Sequence, residues 1–224
     1  MLRQWRLVLL VCVLATPCPG FAAELAIPVP KGYTDAMGWY ARAADAGDSR
    51  AQYYLGVIHW RGLRGEKNHK LAADWFEKAA RRGFGPAQFS LGLAFELGLG
   101  RTKDLAHAAR WYRPAARQGS VEAAFNLGAL HEHGEGIKKN TAQAAILYRQ
   151  AAQAGLARAQ FNLGLIYGEG KGMPRDRVQA WVWLARAKQG GYDGAAGALL
   201  VLEKEMSAAQ RRRASEAYTE EDQR

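Results

Sequence analysis

Apolar positions along this chain fall on two interleaved helical patterns, with no strand-like alternation. Ala51, Leu55, Ile58 and His59 stand at i, i+4, i+7 and i+8, which places them on one face of a helix that Gly62 ends. After a glycine-rich loop, Ala72, Trp75, Phe76, Ala79 and Ala80 follow at i, i+3, i+4, i+7 and i+8 and stop at Gly83, where a left-handed residue costs glycine little. The pair then recurs every 36 residues without insertion, as Leu55-Gly56, Leu91-Gly92, Leu127-Gly128 and Leu163-Gly164 show. The same step relates Gly62, Gly98, Gly134 and Gly170. It also relates the alanines at 43, 79, 115, 151 and 187, the glycines at 47, 83, 119, 155 and 191, and the alanines at 51, 87, 123, 159 and 195. Several registers in one phase define an array of helix pairs, here termed A and B.

Asn68, Asp104, Asn140 and Asp176 recur just before helix B, where a side-chain oxygen can accept from an orphan backbone N–H. The in-phase small residues let neighbouring helices approach, with Trp75, Trp111, Leu147 and Trp183 expected to fill the space between them. The pattern, with segments such as AQFNLGLIYGEGKG at 159–172, closely resembles the Sel-1-like repeat family, a 36-residue α/α relative of the tetratricopeptide repeat. The resemblance implies an all-α fold, a right-handed α/α superhelical solenoid. Four repeats are expected at 48–83, 84–119, 120–155 and 156–191 within 48–191, after an N-terminal capping helix at 35–47. Residues 192–224 make a C-terminal half-repeat and capping helix, the last helix opened by the capping box Ser207-x-x-Gln210.

Residues 1–23 have a different character. Arg3 and Arg6 precede the apolar run from Leu7 to Ala15, and Pro17, Pro19 and Gly20 break it before Phe21-Ala22-Ala23, the form of a secretory signal peptide. Cleavage after Ala22 or after Ala23 fits, and both cysteines, Cys12 and Cys18, leave with it. A short extended segment, 24–34, follows. The expected location is therefore outside the cytoplasm, in the periplasm or secreted, with packing rather than disulfides holding the fold. The chain carries 31 Lys and Arg against 21 Asp and Glu, and loss of Arg3 and Arg6 reduces its balance from +10 to +8. Such a surface could meet an anionic envelope polymer. Nucleic acid is not expected, since the chain carries no nucleic-acid-binding motif, and no apolar run in the mature chain approaches the roughly eighteen residues of a membrane span.

Positions that vary between repeats mark the free face. On helix A these are Arg50/Pro86/Glu122/Arg158, Tyr54/Ser90/Asn126/Asn162, Val57/Leu93/Ala129/Leu165 and Arg61/Leu97/His133/Glu169, at offsets 0, 4, 7 and 11, one stripe of the helix. The resemblance implies that A helices line the concave surface, so the stripe is the candidate groove for a protein or peptide partner. Five helices about 8–10 Å apart make it about 40 Å long, enough for roughly a dozen extended residues. Asn126 and Asn162 resemble asparagines that hold a bound peptide backbone in such families; the other reading is that they brace the adjoining helix. Arg50 and Arg158 are read as solvated.

Catalytic chemistry is not expected. His131 and His133 diverge by about 200° on a helix, and His131 takes the slot of His59, Phe95 and Tyr167, which reads as packing. His69 and His107, near the starts of B helices, have no carboxylate partner in obvious register and are read as solvated rather than as bases. Gly168-Glu169-Gly170-Lys171-Gly172 follows a helix and lacks the Ser or Thr of a phosphate loop. Some cysteine-rich relatives are associated with β-lactam binding or hydrolysis, but a mature chain without cysteine departs from them. No cofactor or metal is expected. The expected function is an interaction scaffold, with an envelope-polymer binder and a β-lactamase-like cell-wall enzyme as the alternatives.

Overall fold

The computed structural model describes residues 33–63 and 65–222, and the leader, both cysteines and most of the 24–34 segment lie outside them. The chain divides after Trp39. Residues 33–39, in the first unit, form the start of helix α1 (Tyr33–Asp45). The second unit holds the rest of α1 and α2 (Ser49–Arg61), α3 (His69–Arg81), α4 (Gly85–Leu97), α5 (Leu105–Arg117), α6 (Val121–His133), α7 (Thr141–Gln153), α8 (Ala157–Glu169), α9 (Arg177–Gln189), α10 (Asp193–Glu205) and α11 (Ala208–Asp222). No strand occurs among the described residues.

Each helix from α2 to α10 is 13 residues long, and side-chain caps or left-handed glycines recur at many of their ends. Asp48, Asn68, Asp104, Ser120, Asn140 and Asp176 cap the N-termini of their helices by accepting from a backbone N–H of the first turn. Gly62, Gly98, Gly134 and Gly170 end the A helices in the left-handed conformation with φ of 68–73°.

Helices pack on their neighbours in sequence, and among the described residues the buried apolar side chains fall into three clusters along the stack. The close A–B approach rests on the second residue of each Leu-Gly pair. A Cβ on Gly56 would stand 2.5 Å from the Phe76 ring, on Gly92 2.6 Å from the Tyr112 ring, on Gly128 2.9 Å from Tyr148 and on Gly164 2.8 Å from Leu184. The row against these glycines is Phe76, Tyr112, Tyr148 and Leu184, one residue beyond the row expected from sequence. Of that expected row Leu147 and Trp183 are buried in the core, whereas Trp75 and Trp111 sit only half-buried, Trp75 under the Lys78 ammonium at 3.9 Å. Adjacent helix positions point about 100° apart, and the crossing angle decides which of two bulky neighbours enters the gap.

Buried glutamines join successive repeats. Gln52, Gln88 and Gln160 each donate to a carbonyl at the end of the preceding B helix, those of Ala44, Ala80 and Ala152, at 3.0–3.2 Å. Each of these carbonyls also accepts from the backbone N–H of the glycine in the following turn, Gly47, Gly83 or Gly155, at 3.0 Å. Repeat three has Ala124 in this slot, and there Gln150 reaches back 2.7 Å to the Ala116 carbonyl instead.

Candidate partner-binding face

The A-helix stripe is carried by α2, α4, α6, α8 and α10, held in phase by the caps and glycines above. Arg50, Arg61, His133 and Glu169 are exposed; Tyr54, Val57, Ser90, Leu93, Asn126, Arg158, Asn162 and Leu165 are half-buried. Several are more engaged than their sequence suggests. Tyr54 packs against Tyr40 and Tyr53 with ring centroids 5.7 and 5.5 Å away. Burial first, and the neighbouring Tyr53 and Tyr40 next, push its hydroxyl pKa up to about 12. Ser90 hydrogen-bonds the half-buried Tyr53. Glu169 pairs with Lys171 at 2.6 Å. The Arg158 guanidinium lies 4.4 Å from the centre of the Phe125 ring, one repeat earlier, so it is a stacked side chain rather than a solvated one.

Asn126 and Asn162 take part in the most organised polar arrangement of the stripe. The fully buried Tyr112 donates its hydroxyl proton to Glu96 at 2.5 Å, and the Asn126 amide nitrogen lies 3.2 Å from that hydroxyl and 3.4 Å from the same carboxylate oxygen. One repeat later, Tyr148 donates to Glu132 at 2.7 Å, and Asn162 hydrogen-bonds the Tyr148 hydroxyl. Burial, and after it the adjacent glutamate charge, holds both tyrosines above their usual range, so they remain neutral donors. Each asparagine thereby braces its own A helix against the preceding repeat. Repeat one puts Trp60, Phe76 and Ser90 in the corresponding slots, and repeat four puts Gly168, Leu184 and Ala198 there. The sequence did carry this signal: Glu, Tyr and Asn occur together in two repeats and are lost together in the other two.

The histidines divide. His107 Nδ1 lies 2.7 Å from Asp104 Oδ2, and its ring stacks on Phe95 at 5.1 Å, so it does have a carboxylate partner, three residues earlier across the helix start. His69 packs edge-on against Trp60 at 4.7 Å. His131 is half-buried. Burial chiefly lowers its pKa and Arg113 adds to the effect, although a hydrogen bond with the Lys138 backbone opposes them. Among the described residues no three His, Cys, Asp or Glu side chains are grouped to hold a metal ion, and no helix is long and apolar enough to cross a membrane.

The Sel1 repeat matches residues 24–48, 49–84, 85–120, 121–156 and 157–192. Two solved structures are similar to this chain. A Sel1 repeat protein from Oxalobacter formigenes is 37% identical with a TM-score of 0.68, over 73% of this chain and 67% of that one. A protective antigen of uropathogenic Escherichia coli with an SLR fold is 31% identical with a TM-score of 0.55, over 85% of this chain. This chain spans 49%, about half, of that antigen's length. A search of curated proteins gives no match. The repeat phase, the all-helical stack and these likenesses converge, and the chain belongs to the Sel1 repeat family.

Proposed function

We propose that the protein is an exported, non-catalytic scaffold whose A-helix face forms a concave groove for an extended segment of a partner protein. The observation that carries this is the contrast between frame and face. Packing slots repeat almost unchanged, whereas the stripe presents Arg50, Pro86, Glu122 and Arg158 at one slot and Tyr54, Ser90, Asn126 and Asn162 at the next. A preformed groove of varied chemistry gains affinity because little has to order on binding. Export rests on the charged, apolar and small-residue order of residues 1–23.

The test is capture from an envelope extract with immobilised residues 24–224, at low and high salt. A Leu93→Glu, Leu165→Glu double variant runs in parallel, since both leucines are half-buried on the stripe. One discrete protein held at high salt by the wild type and lost by the variant supports the groove. Retention of polysaccharide or lipid only, released by salt and indifferent to the two leucines, replaces it with an electrostatic envelope binder. Turnover of a chromogenic β-lactam by the pure protein would replace it with an enzyme.

A further inference from the structure

Every A helix before α10 packs against the B helix that follows it, but α11 leaves α10 and packs on α9. One side of α10 is open to solvent in consequence. Asp193, Ala196, Gly197, Leu200, Val201 and Lys204 are all exposed and, at 3.6 residues per turn, fall within an arc of about 140°. Leu200 and Val201 are more exposed than any other large apolar side chain among the described residues. Leu63 and Ile146, the next in order, stand singly on separate elements, which is ordinary for a protein surface. Two adjacent apolar side chains on a helix that lacks its usual neighbour form a patch.

The order of residues along that patch carries the argument. Ala196 and Gly197 stand one turn before Leu200 and Val201, and a Cβ on Gly197 would meet nothing within 4 Å, so the small pair leaves a recess. Asp193 opens the patch and Lys204 closes it, and no ion pair among the described residues engages either. A helix with small residues before large ones, and an acid at one end and a base at the other, is complementary to itself when reversed.

We propose that the open side of α10 is a self-association surface, on which a second copy of the chain docks its own α10 antiparallel about a twofold axis passing between residues 198 and 199.

That axis sets Gly197 of each copy opposite Leu200 of the other, with Ala196 and Val201 flanking the contact, so each leucine enters the recess beside the other copy's glycine. It also sets Asp193 opposite Lys204 twice. A parallel pair would instead stack leucine on leucine and bring like charges together at both ends, which opposes association. An isologous contact of this kind closes at two copies. Leu200 stands where the other A helices have glycine, so the residue that keeps a B helix from closing on α10 is the one that fills the partner's recess. Val201 is the α10 member of the stripe assigned above, but the pairing needs no partner in that groove. One 13-residue helix from each copy is a small interface, and half-association is expected on the order of tens of micromolar.

Sedimentation equilibrium of residues 24–224, from about 1 to 300 micromolar, tests this against three kinds of variant. Wild type should pass from monomer to dimer. Leu200→Glu should weaken the dimer about ten- to a hundredfold, the range of one buried leucine, with helical circular dichroism as the control for an exposed site. Gly197→Ala, which favours the helix in the monomer, should still weaken association about three- to tenfold by narrowing the recess. Asp193→Lys and Lys204→Glu should each weaken it alone, and an equimolar mixture of the two should associate at least as tightly as wild type, because opposite charges then meet at both ends. A monomer at every concentration, a dimer indifferent to Leu200→Glu or Gly197→Ala, or charge variants no tighter together than apart would each overturn the proposal.

Discussion

Gly92 and Gly197 occupy helices of the same length and type, yet an added methyl group should act on them in opposite directions. At Gly92 a Cβ would meet the Tyr112 ring at 2.6 and 2.7 Å, and Tyr112 is fully buried and tied to Glu96, so the ring has nowhere to move. Gly92→Ala is expected to lower stability by about 1–3 kcal/mol through overpacking. At Gly197 no atom stands within 4 Å, and Gly197→Ala should raise stability by about 0.5–1 kcal/mol, because alanine loses less backbone entropy on entering a helix. Urea midpoints of the two variants against wild type test both signs, and a loss at both sites would contradict the open space at Gly197. At this scale the sequence was only partly readable. The Leu-Gly row announces a close approach, but Trp75 and Phe76 are both bulky and apolar, and only the packed crossing shows that Phe76 fills the gap. Asn126 was legible as a distinctive residue and its two possible roles were not separable, since its partners Tyr112 and Glu96 come from the preceding repeat.

Elements were more legible than residues, because caps and stops act within a few positions of where they are written. Asn140 accepts from the Gln143 N–H at 3.0 Å, and Asn140→Ala should cost about 1 kcal/mol, read as a lower urea midpoint. Asp104 adds a pH dependence that a neutral cap lacks. The His107 backbone N–H foremost, and the His107 side chain next, hold its carboxyl below the usual range. A folded-state value below the unfolded one contributes stability that is complete above the ordinary aspartate value of about 3.9 and disappears as the pH falls through the lower folded value. Wild type should therefore lose stability relative to Asp104→Asn across that acid window. A difference that stayed flat down to pH 2 would show that the cap does not distinguish its charged form. One element-scale expectation needs amending: the His107 side chain is 46% exposed, in keeping with a solvated residue, yet it has a carboxylate partner. Its carboxylate partner sits in the cap slot, which had been assigned to the backbone alone, and one Asp104 oxygen serves each.

In the whole molecule, the array stops where its repeat rule is broken. α10 carries Leu200 in the slot held by Gly56, Gly92, Gly128 and Gly164, and Leu200 and the adjacent Val201 are 63% and 62% exposed. A side chain in that slot prevents a B helix from approaching as closely as α3, α5, α7 and α9 do. The chain then turns at Met206 without the usual loop, and α11 packs on α9 instead. Ala214 is fully buried in a cluster with Ala180, Leu184 and Leu199; Tyr218 meets Trp181 edge-on at 6.1 Å and donates to Gln189 at 2.8 Å. In a stack where each unit touches only its neighbours, loss of this cap should be felt locally. A chain ending at Met206 should lose amide hydrogen-exchange protection in α8, α9 and α10 while α2 to α5 keep theirs, because the free energy of local opening follows the nearest interfaces. Protection falling evenly from α2 to α10 would instead mean that the stack opens as one cooperative unit.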